Sequence, residues 1–188
     1  GWVASSEKFW EPISKYINHF KIRGSYGLVG SDAFASGAPH FLYQNNIGIG
    51  SAHKFWTGLP TSEISKQGPG FYVLAVQDAG WEHVKKFDIG FDMMLFNQLN
   101  ITFDYFHDKR ERILMSRASW PSMLGYWGSK PWSNIGEVEN QGFELSLNWT
   151  KQFGKDLTLD LRGNFTYNQN EYKYVDEPSY PYVWQTNT

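Results

Sequence analysis

The charged side chains best placed for chemistry lie scattered along segments that alternate between polar and apolar residues. Paired carboxylates could act as general acid and base in glycoside hydrolysis, where they lie about 5 Å or about 6.5–9.5 Å apart. Scattered acids on strands are far more often simply solvated, so we expect no catalytic residue and no enzyme. The charged set consists of Asp88, Asp92, Asp104, Glu144, Asp160 and Arg162.

The other reactive residue types also lack the patterns that catalysis or metal binding needs. The five histidines show no i, i+4 pairing, which argues against a histidine-based metal site. Ser62 and Ser65 lack the G-x-S-x-G context of an elbow nucleophile, and the chain has no Cys. We expect no cofactor and no bound metal, and only calcium on loop oxygens around Asp176 and Glu177 stays open.

The overall composition excludes some partners and leaves the membrane open. With 17 basic and 19 acidic residues among 188, the chain lacks the charge excess of a nucleic-acid binder. Its longest purely apolar run, residues 71–76, is far shorter than the roughly 20 residues of a spanning helix. A transmembrane β-strand needs only about 9–11 alternating residues. The aromatic content of 18% suits either such a barrel or a soluble all-β domain.

Four segments alternate regularly and predict long strands. Apolar side chains occupy the odd positions and mostly polar ones the even positions over 87–95, 99–105, 143–149 and 157–167. The other predicted elements are less regular. They are a short helical or loop insertion over 5–20, and strands over 21–27, 42–49 and 71–77.

The parity of the apolar positions restricts the turn of the first hairpin. Residues opposed across a ladder share a face, so their numbers sum to an even total and a three-residue loop is favoured. A loop over 96–98 sets Phe91 opposite Phe103. The neighbouring register would oppose Asp92 to Asp104, and opposed like charges are unfavourable. We therefore predict the loop over 96–98, which also sets Lys86 opposite Asp108.

The same reasoning predicts the second hairpin. A loop over 152–154 sets Leu147 opposite Leu159 and also opposes Glu144 to Arg162. Gly154 then supplies the left-handed residue that a three-residue hairpin loop requires.

Three features favour lipid as the solvent of the apolar face. Both tight turns lie at one end of the strands, whereas the connection at the other end, residues 109–139, is long. Strands of about 11 residues suit the height of a barrel's apolar band. Trp149, Tyr105 and Tyr167 lie near the ends of the apolar stripes, where amphipathic rings prefer the interface. We predict an all-β, antiparallel up-and-down transmembrane β-barrel segment with short periplasmic turns and long external loops. Its alternative is a soluble carbohydrate-binding β-sandwich.

Four stretches resemble the barrels of SusC/RagA-type TonB-dependent transporters. Residues 21–30 resemble K-x-R-x-S-Y-G-x-x-G-N, and only Ser31 departs, where the family commonly has Asn. Residues 81–92 resemble W-E followed by d-i-G-f-d, and residues 104–106 resemble a d-Y-Y strand end. Residues 134–144 resemble N-x-G-x-v-x-N-x-G-x-E, the most specific of the four. Their order and spacing agree across nearly the whole chain.

The resemblance implies a location and partners. It implies a Gram-negative outer membrane, with active import of glycans or peptides, a SusD-like surface lipoprotein as cap and energy supplied through TonB. Because such transporters are much longer, we expect residues 1–188 to form a later part of the barrel, without the plug. An open piece of barrel would have unpaired edges and depend on further chain or a partner. The charged set would then face a hydrated lumen.

The connection over 109–139 holds the aromatic residues best suited to a substrate contact. Aromatic faces stack on sugar rings, and amphipathic rings are common at binding surfaces. The competing interpretation is that these rings pack the loop on itself or against the cap. The four residues are Trp120, Tyr126, Trp127 and Trp132.

Overall fold

In the computed structural model, β-strands make up almost all of the regular secondary structure. It describes residues 1–32, 36–58, 64–121, 130–178, 180, 182 and 184. No helix in these ranges is long and apolar enough to cross a membrane. The strands are β1 (Trp2–Val3), β2 (Ile17–Ser31), β3 (Asn46–Thr57), β4 (Ile64–Val73), β5 (Glu82–Leu95), β6 (Leu99–Ser116), β7 (Trp132–Phe153) and β8 (Leu157–Tyr174), with 3-10 turns at Ala4–Ser6 and Lys8–Trp10.

Six of these strands form one antiparallel sheet in the order β1-β2-β5-β6-β7-β8, and β3 pairs with β4 in a separate two-stranded sheet. The all-β antiparallel class predicted from the sequence is thereby confirmed. The chain divides into two compact units. The first unit comprises residues 1–29, 84–110 and 138–172, and the second comprises residues 30–83, 111–137 and 173–188.

A row of aromatic rings crosses the sheet of the first unit, with one ring contributed by each of five strands. The ring centroids lie 5.9 Å apart for Phe20 and Phe91, 5.5 Å for Phe91 and Phe103, and 6.1 Å for Phe103 and Phe143. Phe165 extends the row at 5.8 Å from Phe143. These distances lie within the range that aromatic pairs favour. The row confirms that the odd-numbered apolar residues of β5 to β8 share one face.

The first hairpin has the predicted register. β5 ends at Leu95 and β6 begins at Leu99, so the turn is the predicted loop over 96–98. On the polar face, the Nζ of Lys86 lies 3.7 Å from an Asp108 carboxylate oxygen. The sequence could predict this pairing because only one of the two registers allowed by parity avoids opposed carboxylates.

The predicted register of the second hairpin is wrong by two positions on each strand. β7 continues to Phe153, and the turn covers residues 154–156 instead of 152–154. The Thr150 hydroxyl donates a hydrogen bond to Asp160 at 3.4 Å. Gly154 does adopt a positive φ of 72°, but as the first residue of the turn. The extension adds residues to the ladder between β7 and β8. The residue numbers of each opposed pair now sum to a total that is higher by four and still even, so the apolar residues keep their shared face.

The new register separates the charges that were expected to pair. Arg162 binds Asp160, two residues away on its own strand, at 2.9 Å, and Glu144 lies elsewhere on the polar face. The predicted Glu144–Arg162 pair is therefore wrong. The incorrect register offered the attractive Glu144–Arg162 pair, so favourable charge pairing alone could not identify the correct register.

The predicted insertion over 5–20 is shorter and less helical than expected. Two 3-10 turns and a further turn replace a helix, and β2 already begins at Ile17. The Trp10 ring stacks on Phe20 at 5.3 Å and 5°. The helical spacing of Trp10 and Phe20 therefore reflects this stacking. Trp10 extends from the turn and Phe20 from β2, and their rings meet.

The predicted loop over 109–139 is largely strand. β6 runs to Ser116 and β7 begins at Trp132, which leaves residues 117–131 as the connection. Sequence alternation weakens beyond residue 105, but the ladder continues because backbone hydrogen bonds do not depend on side-chain polarity.

The second unit contains the β3–β4 pair and a small apolar core. Leu42, Val76 and Leu114 form this core, and Trp132 packs against it. The strands predicted over 42–49 and 71–77 are displaced, because β3 begins only at Asn46 and β4 covers Ile64–Val73.

One glycine of the first unit provides space for a side chain from the neighbouring strand. Gly90 on β5 is buried although the sheet is a single layer. A Cβ at Gly90 would overlap the Asp104 carboxylate and approach the Phe103 carbonyl oxygen. The carboxylate of Asp104 therefore lies across β5 at a position where only glycine leaves room.

We predict that Gly90→Ala destabilises the barrel by about 1–3 kcal/mol, because the new methyl must displace Asp104. Gly27→Ala is the matched control, since a Cβ at Gly27 meets no atom within 4 Å, and it should change stability by less than about 0.5 kcal/mol. Urea unfolding of the full-length protein measures both. Equal stabilities for the two variants would contradict the close approach.

Candidate functional site

An arginine on the polar face of the first unit joins three strands. The Nη2 atom of Arg23 on β2 donates to both carboxylate oxygens of Asp104 on β6, each at 2.9 Å. Its Nε atom lies 3.1 Å from an Asp92 carboxylate oxygen on β5. The Asp104 carboxylate lies over Gly90, where no side chain blocks it, and it binds the guanidinium from that position. One cation therefore neutralises two carboxylates and connects β2, β5 and β6.

A shallow cavity of about 380 Å³ opens on the same polar face around this arginine. It gathers three of the predicted lumen-facing residues, Asp88, Asp104 and Glu144, and Asp92 adjoins it through Arg23. The cavity also includes Lys86 and Asp108, which form the ion pair described above. Asp92, Asp104 and Asp108 are held in ion pairs, so this arrangement suits a structural role on the polar face.

The remaining two predicted lumen residues lie apart from this cavity. Asp160 and Arg162 pair with each other along β8 at 2.9 Å. Arg162 also borders a smaller cavity of about 150 Å³ that is lined mostly by Asn, Ser and Thr side chains. The polar set therefore forms two groups. Whether both groups face a lumen stays a prediction.

The aromatic residues predicted to contact substrate have different environments. Trp132 is half-buried against the core of Leu42, Val76 and Leu114. Trp120 is also half-buried. The indole N–H groups of both are buried and find no acceptor within the described residues. Tyr126 and Trp127 lie outside the described residues. Packing therefore accounts for Trp132, and a role for this set in ligand binding stays a prediction.

Asp176 forms a latch that sequence reasoning missed. Its carboxylate is nearly buried, at 6% exposure. It accepts hydrogen bonds from the Ser119 backbone N–H at 3.0 Å and the Ser119 hydroxyl at 2.8 Å, and it pairs with Arg117 Nε at 3.2 Å. These contacts attach the segment after β8 to the connection after β6. These donors occupy the carboxylate of Asp176, and the calcium that the sequence left open near Asp176 and Glu177 stays untested.

The surroundings of Asp176 favour its charged form and lower its pKa. Burial disfavours the charged form of Asp176, but the Ser119 hydrogen bonds and the Arg117 charge outweigh it and lower the pKa below its ordinary value of 3.8.

Within the described residues, no group of three or more His, Asp and Glu side chains could hold a metal ion.

Asn134, the first residue of the stretch 134–144, joins two distant segments of the second unit. Its amide oxygen accepts from the Gly80 backbone N–H at 3.1 Å, and its amide nitrogen donates to the Gly80 carbonyl at 2.9 Å. The same nitrogen donates to the Arg112 carbonyl at 2.9 Å. Two residues later, a Cβ at Gly136 would lie only 3.0 Å from atoms of Ile113 and Met115. Hydrogen bonding therefore explains Asn134, and the lack of space for a Cβ explains Gly136.

Comparison with known proteins agrees with these features. Residues 10–185 match the family model described as TonB dependent receptor-like, beta-barrel. TonB-dependent receptor P3 of Formosa agariphila is 30% identical over 171 residues, which cover 90% of this chain and 16% of that protein. TonB-dependent receptor SusC of Bacteroides thetaiotaomicron is 26% identical over 183 residues, covering 91% of this chain and 16% of that protein.

Solved structures agree on the fold. The RagAB peptide importer in its open-open state superposes with a TM-score of 0.68 at 20% identity, over 93% of this chain and 17% of that one. A second RagAB peptide transporter structure gives a TM-score of 0.63 at 22% identity, over 91% of this chain and 17% of that one. The chain thus spans about one sixth of the length of these relatives.

We predict that Arg23→Ala destabilises the full-length protein by about 1.5–3 kcal/mol, because it leaves Asp104 without its charged donor and Asp92 without its ion-pair partner. Arg23→Lys should recover only part of this, since an ammonium lacks the planar fork. Lys86→Ala, which breaks a half-exposed pair, should cost at most about 1 kcal/mol. Urea unfolding in detergent ranks the three variants. An Arg23→Ala protein as stable as wild type would contradict the clamp.

We predict that the Asp176 latch weakens only in acid. Because folding lowers the pKa of Asp176, its stabilisation is complete above the ordinary value of 3.8 and is lost as the pH falls through the lowered pKa. At neutral pH, Asp176→Asn should speed tryptic cleavage after Arg117 in the full-length protein. Glu177→Gln, which removes the neighbouring charge, should not. Equal cleavage rates in wild type and Asp176→Asn would contradict the latch.

Proposed function

Because this chain belongs to the TonB-dependent receptor β-barrel family, we propose that it forms part of an outer-membrane active importer of glycans or peptides. In this proposal the importer acts with a SusD-like surface lipoprotein as its cap, and TonB supplies the energy through regions outside the chain. The family and the named relatives are outer-membrane proteins. The relatives are receptors and transporters, which agrees with a non-enzymatic role.

The observation that carries the proposal is the difference between the two faces of one sheet. Within the described residues, the first unit contains a single sheet. Large apolar side chains on one of its faces stay exposed, among them Ile89, Leu161 and Phe165. The opposite face carries Arg23 and its paired carboxylates. An uncovered apolar face suits lipid, and a charged, ion-paired face suits a hydrated lumen.

The soluble β-sandwich considered from the sequence requires a second sheet over the apolar face. The first unit has no such sheet in the residues that the structure describes. The match to a β-barrel family over residues 10–185 independently favours the membrane alternative. We therefore do not retain the sandwich as a candidate.

The geometry supports a specific contribution to import. The ion pairs of Arg23 fix the relative positions of β2, β5 and β6, so this part of the wall keeps its shape while a substrate passes. The polar face has amides, hydroxyls and paired charges, which allow water and polar solutes to remain solvated along it. We propose the connection over 117–131, with Trp120 and Tyr126 to Trp127, as an external contact for substrate or cap.

Uptake in cells that make the complete transporter tests this proposal. We expect oligosaccharides or peptides too large for porins to enter only when both the transporter gene and TonB are intact, because import against a gradient needs energy. A monosaccharide that porins admit is the control and should enter all strains equally. The assay follows labelled substrate inside washed cells. Substrate entry that is unchanged in both the transporter deletion and the TonB deletion would contradict the importer.

A further inference from the structure

A short turn of the second unit, residues 41–45, is fixed by three hydrogen bonds, two of them between backbone groups and one to a side chain. The Val76 N–H donates to the Leu42 carbonyl at 2.7 Å, and the Ala75 N–H donates to the Asn45 side-chain oxygen at 2.7 Å. Within the turn, the Gln44 N–H donates to the Phe41 carbonyl at 3.2 Å. The turn is therefore held to the segment that follows β4 and forms a defined surface.

One side chain of this turn, that of Leu42, is buried, and the other four are exposed. Leu42 is 8% exposed and belongs to the apolar core with Val76 and Leu114. Phe41 and Tyr43, on either side of it, are 63% and 67% exposed. Their rings meet edge to face at 6.3 Å and 87°. Burying Leu42 thus leaves two large rings exposed at the surface of the second unit, and exposed aromatic surface often marks a binding site.

A cavity of about 380 Å³ lies beside Phe41. Its volume falls within the range of small-molecule sites. Its lining includes one histidine but no Asp, Glu, Lys or Arg. The lining residues that bear on ligand chemistry are His40, Phe41, Gln44, Asn45, Asn46 and Ile47.

This combination favours an uncharged polyhydroxylated ligand. Carboxamides can donate and accept hydrogen bonds, as sugar hydroxyls also do. An aromatic face offers an apolar platform, and the C–H face of a sugar ring can lie against it. A free peptide brings charged termini and often charged side chains, for which this lining offers no Asp, Glu, Lys or Arg partner. The uncharged lining therefore matches a neutral oligosaccharide better than a peptide.

We propose that the cavity beside the turn 41–45 is a binding site for a neutral oligosaccharide. One sugar ring lies against Phe41, and Gln44 and Asn46 bind its hydroxyl groups. The proposal rests on the proposed importer function and narrows its substrate class to glycans. It also places the contact away from the aromatic residues of the 117–131 connection.

Calorimetry on the complete transporter in detergent tests the site. The probes are neutral hexasaccharides of glucose, xylose, mannose and galactose, and a blocked, uncharged hexapeptide of alanine and glycine. We expect at least one hexasaccharide to bind, and we expect Phe41→Ala to weaken that binding about tenfold, as loss of one stacked ring would. Gln44→Ala should also weaken it. Phe55→Ala is the matched control, since Phe55 is likewise exposed but does not line the cavity.

Three results would overturn the proposal. One is that no hexasaccharide binds the wild-type protein. Another is that Phe41→Ala and Phe55→Ala bind it equally. The third is that the peptide binds and Phe41→Ala abolishes that binding, which would assign the site to peptides. TonB-dependent uptake is measured on the same variants. Uptake without saccharide binding at Phe41 would contradict this site and leave the importer standing. Saccharide binding at Phe41 without TonB-dependent uptake would contradict the importer and leave the site standing.

Discussion

A single β-layer can leave both of its faces uncovered only if each face meets a solvent that suits it. In the first unit, the row from Phe20 to Phe165 lies on one face, and Arg23 with Asp92 and Asp104 lies on the other. Water on both faces would leave the aromatic row exposed at a cost of roughly 25 cal/mol for each Å² of apolar surface. Lipid on one face and water on the other removes this conflict. The assignment of each face therefore depends on this one constraint.

The stretches that resemble the transporter family acquire physical reasons in the structure. Arg23 lies in the first of them, Gly90 and Asp92 in the second, and Asp104 begins the third, so one three-strand clamp accounts for residues of all three. Asn134 begins the fourth and connects Gly80 to Arg112 by hydrogen bonds. Each of these positions requires its particular residue type. The forked cation of Arg23, the missing Cβ of Gly90 and the carboxamide of Asn134 cannot be exchanged for another group of similar polarity.

Sequence reasoning succeeded where the physics is local or periodic. Alternation predicted the shared apolar face, and charge repulsion selected the register of the first hairpin. It failed for the second hairpin, because parity permits registers that differ by four in the paired total and an attractive charge pair was available in the wrong one. The Asp176 latch and the Asn134 bridge could not be predicted, because their partners lie 22 to 59 residues away in the chain. The turn 41–45 is similar, since nothing local indicates that Leu42 is buried while its aromatic neighbours are exposed.

The most direct measurement of the central claim is a spin-label accessibility scan of β6 in the full-length protein, reconstituted in lipid vesicles. The chain described here contributes no native Cys, so single cysteines at positions 100 to 105 can carry the label. The account predicts that labels at 101, 103 and 105 collide with lipid-soluble oxygen, and that labels at 100, 102 and 104 collide with a water-soluble nickel complex. Equal access to the nickel complex at odd and even positions would contradict the assignment of the apolar face to lipid.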